Sequence, residues 1–295
     1  MLNETEQSKR YSVLMSVYYK ENPAFLSQAI ESMQKQTLLS DNFVLVCDGP
    51  LNRELDAVIA SKQQEMGATL HVVRLEKNGG LGRALNEGLR HCRHELVARM
   101  DSDDIAYPDR CEEQIAVFCR HPEVSICSGT VEEFSTNPAV IDTKRILPEK
   151  HDDIVAFAKS RNPFNHPCVM YRKSAVMAVG SYQDFYLLED YYLWLRLLLA
   201  GYQGYNLQRP LLYMRAGADM YRRRAGWKYA RTQVLLFRFM REKNFIDEGQ
   251  YIKSCVIRSG SALAPNWLRR FMFGRFLRNA DENIKVDIER KYSEL

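Results

Sequence analysis

The chain has 295 residues, 46% apolar and 26% charged, with a formal net charge of +4. That is enough for one large core, or a core with a small appendage. Seven cysteines, odd in number and without a C-x-x-C pair, argue against a disulfide framework and structural zinc.

In chain order, the apolar run Val13-Leu14-Met15-Ser16-Val17-Tyr18 predicts a buried strand. Asn22 suits an N-cap and Pro23 a first helical position, and Phe25, Leu26, Ala29, Ile30 and Met33 then share one helical face. Phe43-Val44-Leu45-Val46-Cys47 predicts a second strand, halted by Asp48 and the turn pair Gly49-Pro50. His71-Val72-Val73-Arg74-Leu75 predicts a third, after which Asn78-Gly79-Gly80 leads into a helix carrying Leu81, Leu85, Leu89 and Cys92. Residues 96–100 predict a fourth. Alternating strands and helices argue for an α/β fold with a parallel sheet, whose ligands bind beyond the carboxyl ends of the strands, where Tyr18, Asp48 and Asp101 lie.

The fourth strand ends in Asp101-Ser102-Asp103-Asp104, three carboxylates in four residues. Hard divalent ions such as Mg²⁺ and Mn²⁺ take such oxygen ligands and leave positions for substrate phosphates. In extended backbone Asp101 and Asp103 project to one side, with Asp104 on the other or opening a turn. A solvated turn at a strand end explains the same residues without a metal.

Ser16-Val17-Tyr18-Tyr19-Lys20-Glu21, Val46-Cys47-Asp48-Gly49-Pro50, Asn78-Gly79-Gly80-Leu81-Gly82-Arg83-Ala84-Leu85-Asn86 and Asp101-Ser102-Asp103-Asp104, in this order and spacing, resemble the inverting family 2 glycosyltransferases with the GT-A fold. His166-Pro167 and Leu188-Glu189-Asp190-Tyr191-Tyr192-Leu193-Trp194-Leu195-Arg196 are similar to the family's acceptor-side segments. The resemblance, which covers about residues 10–215, implies a mostly parallel central sheet flanked by helices and a catalytic domain over 1–215, which leaves 216–295 as a basic, mainly helical extension. It implies nucleotide-sugar contacts from Val17, Tyr18, Glu21, Asp48, Gly80, Arg83, Asn86, Asp101 and Arg222. Acceptor contacts fall to His166 and Trp194, and Mn²⁺ or Mg²⁺ binding to Asp101, Asp103 and Asp104. Asp190 takes the role of general base, with Glu189 orienting it or binding the acceptor.

The implied reaction moves one sugar from a nucleotide sugar, UDP-linked by expectation, to a saccharide acceptor in bacterial surface-polysaccharide synthesis, the acceptor being carried on polyprenyl diphosphate. The expected location is the cytoplasm, at the inner face of the membrane. Tyr19, Cys47 and Leu85 depart from the residues usual in the family, and no Gln-x-x-Arg-Trp motif of processive synthesis is found, which favours single additions. Two other readings stay open: a sugar nucleotidyltransferase, and a noncatalytic membrane-associated polysaccharide-assembly module.

Each site residue also has a structural explanation. Asp48 before Gly-Pro forms turns, glycines at a loop-to-helix junction permit the turn, and acids at 189–190 suit a helix start. His166 and Trp194 fit a core. Charge is uneven: between Arg209 and Arg278 sixteen Lys or Arg face four acids, leaving the rest of the chain net negative. Within this module Arg222-Arg223-Arg224 suits a loop closing over a diphosphate, and residues 267–278 mix arginines with aromatics, as for a packed helix or for contact with an anionic membrane. No nucleic-acid reader motif accompanies the charge. The first ten residues lack the apolar core of a signal peptide, and residues 191–202 are too short to span a bilayer, so the chain is not expected to be integral to a membrane.

Overall fold

The computed structural model describes residues 10–216 and 226–263. They fall into two units, one comprising the described residues up to Asp184 with Glu189–Ala216, the other Phe185–Leu188 with the described residues after Gly217.

In the first unit the predicted elements form. Strand β1 (Tyr11–Val17) is buried almost throughout. Helix α1 (Pro23–Gln34) begins where the Asn22 side chain accepts the Ala24 N–H at 2.9 Å and Pro23 fills the first turn. Next come β2 (Asn42–Cys47), α2 (Arg53–Met66), β3 (Leu70–Arg74), α3 (Leu81–His91) and β4 (Leu96–Asp101). Strand β1 runs parallel to β2 and β4, and β2 to β3. The pairings Val17↔Cys47 and Ser16↔Asp101 bring the carboxyl ends of three strands to one edge. Helix α3 packs down on β1 and β2 through Gly88, where an added Cβ would lie 2.6 Å from Val46 Cγ2 and closer still to Leu14. Gly88→Ala is expected to destabilise the fold by about 1–3 kcal/mol through overpacking, read as a lower urea midpoint at unchanged slope.

Beyond β4 the sheet becomes mixed. The remaining elements of this unit are β5 (Ile105–Ala106), α4 (Arg110–Arg120), β6 (Val124–Phe134), β7 (Thr143–Arg145), α5 (His151–Ala158), β8 (Met170–Arg172), α6 (Lys173–Ala178), α7 (Glu189–Leu199) and β9 (Gln203–Arg215). The strand order is β3-β2-β1-β4-β8-β6-β9-β5, with β7 on β6. Strand β8 is antiparallel to both β4 and β6, β9 is parallel to β6, and β5 antiparallel to β9. The β5–β9 register, Ile105↔Tyr213, carries the end of β9 back over the acidic turn after β4.

In the second unit α8 (Trp227–Glu242) and α9 (Glu248–Leu263) form an antiparallel hairpin, closed where the Gly226 N–H donates to the Ala262 carbonyl at 3.0 Å. Helix α8 buries Ala230, Leu236, Phe237 and Met240 at helical spacing. Among the described residues no helix is long and apolar enough to cross a membrane. Arg222 and its neighbours at 223–224, and the segment 267–278, lie outside the described residues.

Candidate active site

Strand β4 stops at Asp101, and a turn follows at once. The alternation expected for an extended chain therefore does not extend to Asp103. The turn instead gathers all three acids, so that one carboxylate oxygen each from Asp101, Asp103 and Asp104 lies within 4.8 Å of the others.

The three are held differently. The buried Arg99 guanidinium meets both oxygens of Asp101, at 2.7 Å from Nη1 to Oδ2 and by a shorter contact from Nη2 to Oδ1. Asp104 is buried and accepts the Arg215 backbone N–H at 2.8 Å. Arg215 also donates through Nε to the Asp103 carbonyl at 3.1 Å, with its guanidinium 3.6 Å from the centre of the Phe25 ring and against Phe134. Asp103 is thus fixed through its backbone. Burial, then the charges of Asp101 and Glu21, push the Asp103 carboxyl up to about 7, and burial with the charges of Asp103 and Asp101 pushes Asp104 well above the usual carboxylate range. Glu21 joins this cluster by accepting the Ser102 hydroxyl at 2.6 Å.

Hard oxygen donors crowded to the point of mutual protonation suit a divalent cation. Of the three, Asp101 faces Arg99 and Asp104 is enclosed, which leaves Asp103 the carboxylate most open to a ligand.

On the donor side Tyr18 is partly exposed and meets Tyr19 edge to face. Val17 is buried, and its carbonyl accepts the Asp48 N–H at 2.8 Å. Asp48 is buried, its Oδ1 accepting the Gly79 N–H at 2.7 Å and Oδ2 the Gly80 N–H at 3.0 Å. The Gly80 amide, expected to face the nucleotide, is committed to Asp48 instead. Its φ of 88° explains the glycine, because a side chain is strained there. Asn86 bonds the backbone of Tyr182 twice, donating to the carbonyl at 2.7 Å and accepting the N–H at 2.9 Å. Arg83 is exposed in the first turn of α3.

The acceptor-side segment opens α7. Asp190 accepts the Asn162 side-chain amide at 2.6 Å and the Tyr191 N–H at 2.7 Å. Glu189 lies against the first turn of α3, its Cγ 3.7 Å from where a Cβ on Gly82 would sit. His166 bonds the Tyr182 hydroxyl at 3.0 Å, and burial, with the Arg99 charge added, pushes its imidazole well below the usual value, so the ring is neutral. Trp194 corrects the expectation of acceptor stacking. It is fully buried among Phe164, His166, Tyr171 and Tyr182, and offers no face to a ligand.

Sequence reasoning missed Arg99, Asn162, Tyr182 and Arg215. Arg99 alone carries a local signal, a charge inside an apolar strand two residues before an acid, hence on the same face.

A profile described as Glycosyl transferase family 2 matches residues 12–180. The amylovoran biosynthesis glycosyltransferase AmsE of Erwinia amylovora is 42% identical over 89% of this chain and 97% of its own length. The UDP-Gal:alpha-D-GlcNAc-diphosphoundecaprenol beta-1,3-galactosyltransferase of Escherichia coli is 36% identical over 93% of this chain and 98% of its own. Among solved structures, TarS 1–349 of S. aureus in complex with UDP-GlcNAc superimposes with a TM-score of 0.63 at 17% identity, over 90% of this chain and 75% of that one. The mannosyltransferase PcManGT of Pyrobaculum calidifontis, in complex with GDP-Man and Mn²⁺, gives 0.60 at 14% identity, over 91% and 80%.

Proposed function

The chain belongs to glycosyl transferase family 2 and has the GT-A fold, and from that premise we propose that it moves one sugar, with inversion, from a UDP-linked donor to a saccharide on polyprenyl diphosphate. It is a glycosyltransferase of bacterial exopolysaccharide or O-antigen synthesis. The observation that carries the finer reading is the acid trio at the end of β4, with one oxygen from each carboxylate within 4.8 Å of the others. The relative whose printed name gives UDP-Gal and a diphosphoundecaprenol acceptor matches nearly end to end, which supports the choice of both substrates.

In this reading Tyr18, Glu21 and Arg83 line the donor side, and Asp103, with Asp101 and Asp104 beside it, would hold Mn²⁺ or Mg²⁺. A divalent ion there supplies positive charge to the departing diphosphate. Asp190 takes the proton of the acceptor hydroxyl as its oxygen bonds the anomeric carbon, and the bond from that carbon to the diphosphate oxygen breaks on the opposite face. In this reading a lipid-linked acceptor would be met at the membrane surface, by expectation at its inner face.

The test is a panel of UDP-galactose, UDP-glucose and UDP-GlcNAc with Mn²⁺ or Mg²⁺, scored for UDP release with and without GlcNAc-diphosphoundecaprenol. Metal-dependent release that requires the acceptor is expected. Absence of release with every donor would overturn the UDP-linked donor and leave the family assignment in place.

A further inference from the structure

Asp190 sits in the first turn of α7, and Asn162, on the loop between α5 and β8, reaches its carboxylate from another element. Two bonds fix that loop to the helix: the Tyr191 hydroxyl donates to the Ala158 carbonyl at 2.7 Å, and the Asn162 Nδ2 donates to Asp190 Oδ2 at 2.6 Å. The orientation of an asparagine amide must be assigned from its partners, and here they agree. The Phe164 N–H donates to Asn162 Oδ1 at 3.3 Å, which turns the NH₂ toward Asp190. A neutral donor thus holds the carboxylate, favours its ionised form, and brings no proton-accepting group of its own.

We propose that Asn162 is a positioning residue for the transfer reaction: its amide aims the Asp190 carboxylate and keeps it ready to take a proton. The proposal rests on the reading of Asp190 as general base. The phenol of Tyr182, in the turn before α7, also acts on Asp190 electrostatically, and Glu189 precedes it on the helix. Neither group changes in the variants below.

The full-length chain is assayed with the UDP-sugar panel, Mn²⁺ and GlcNAc-diphosphoundecaprenol, as wild type, Asn162→Ala, Asn162→Asp and Asp190→Asn. UDP affinity is measured on each by calorimetry. Asn162→Ala is expected to lower kcat about ten-fold or more, with donor KM and UDP affinity within about two-fold. Asn162→Asp keeps the shape but sets a second carboxylate against the first. The pair then shares a proton, and the acid limb of the kcat/KM profile moves up by about one pH unit or more. Unchanged kcat and an unchanged acid limb in both Asn162 variants, while Asp190→Asn is dead, would overturn the role of Asn162 and leave the base in place. Loss of UDP affinity in step with kcat would also overturn it, marking Asn162 as a structural loop residue. Full activity of Asp190→Asn, or no turnover by wild type with any donor, would remove the reading beneath it.

Discussion

Asp190→Asn is expected to lower the rate of sugar transfer on the order of 10³-fold while UDP affinity in the presence of Mn²⁺ stays within about two-fold of wild type. The substitution isolates one property. Asparagine has the shape of aspartate, and its side-chain oxygen can still accept either the Asn162 amide or the Tyr191 N–H that the structure places on Asp190. What it cannot do is accept a proton from an acceptor hydroxyl at neutral pH. The donor-side groups lie on other elements, Tyr18 after β1 and the acid trio after β4, and keep their own side chains when residue 190 loses its charge. Transfer rates and UDP calorimetry on the same preparation separate the two effects. Equal losses of turnover and UDP affinity would place Asp190 in donor binding.

The parallel half of the sheet was legible because its strands are short apolar runs with turn residues at their ends, and because Asn22-Pro23 marks a helix start in both side chain and backbone. The mixed half was not. Strand β6 is buried along its whole length yet contains Ser125, Ser128, Thr130, Glu132 and Glu133, so neither apolarity nor alternation announces it. The acidic cluster was legible as a composition, and its convergence required the turn after Asp101 that no alternation rule supplies.

The partners of three of these residues were illegible for one reason. Asp48 meets Gly79 and Gly80 across some thirty residues of chain, and Asn86 meets Tyr182 across 96. A local reading sees a polar side chain and has no means of knowing that a distant stretch of backbone bonds it. Trp194 is the apolar version of the same problem: three aromatic residues between 164 and 182, together with His166, enclose it from sequence positions that no helical periodicity connects.

Asp103→Asn, and equally removal of divalent ions with EDTA, is expected to cost on the order of 10²–10³ in turnover, restored by Mn²⁺ or Mg²⁺ only in the wild type. The acid trio makes a second, activity-free prediction. Asp103 is held up to about 7 by burial and by Asp101 and Glu21, and Asp104 is raised with it. A carboxyl whose folded value lies above its unfolded one binds more protons in the folded chain. Without metal, its contribution to stability is therefore largest at low pH, and is lost as pH rises from the ordinary carboxylate range through about 7. A cation bound at the trio supplies the missing positive charge where the protons have left. The rise in melting temperature on adding Mn²⁺ should accordingly be larger at pH 8 than at pH 6, where metal must displace a proton. Arg215→Ala, which frees the Asp103 carbonyl and removes the guanidinium from between Phe25 and Phe134, should raise the Mn²⁺ concentration needed for half of that shift. A melting temperature indifferent to Mn²⁺ at both pH values, together with EDTA-resistant transfer, would show that Arg99 and Arg215 alone balance the three carboxylates and that the leaving diphosphate is stabilised elsewhere.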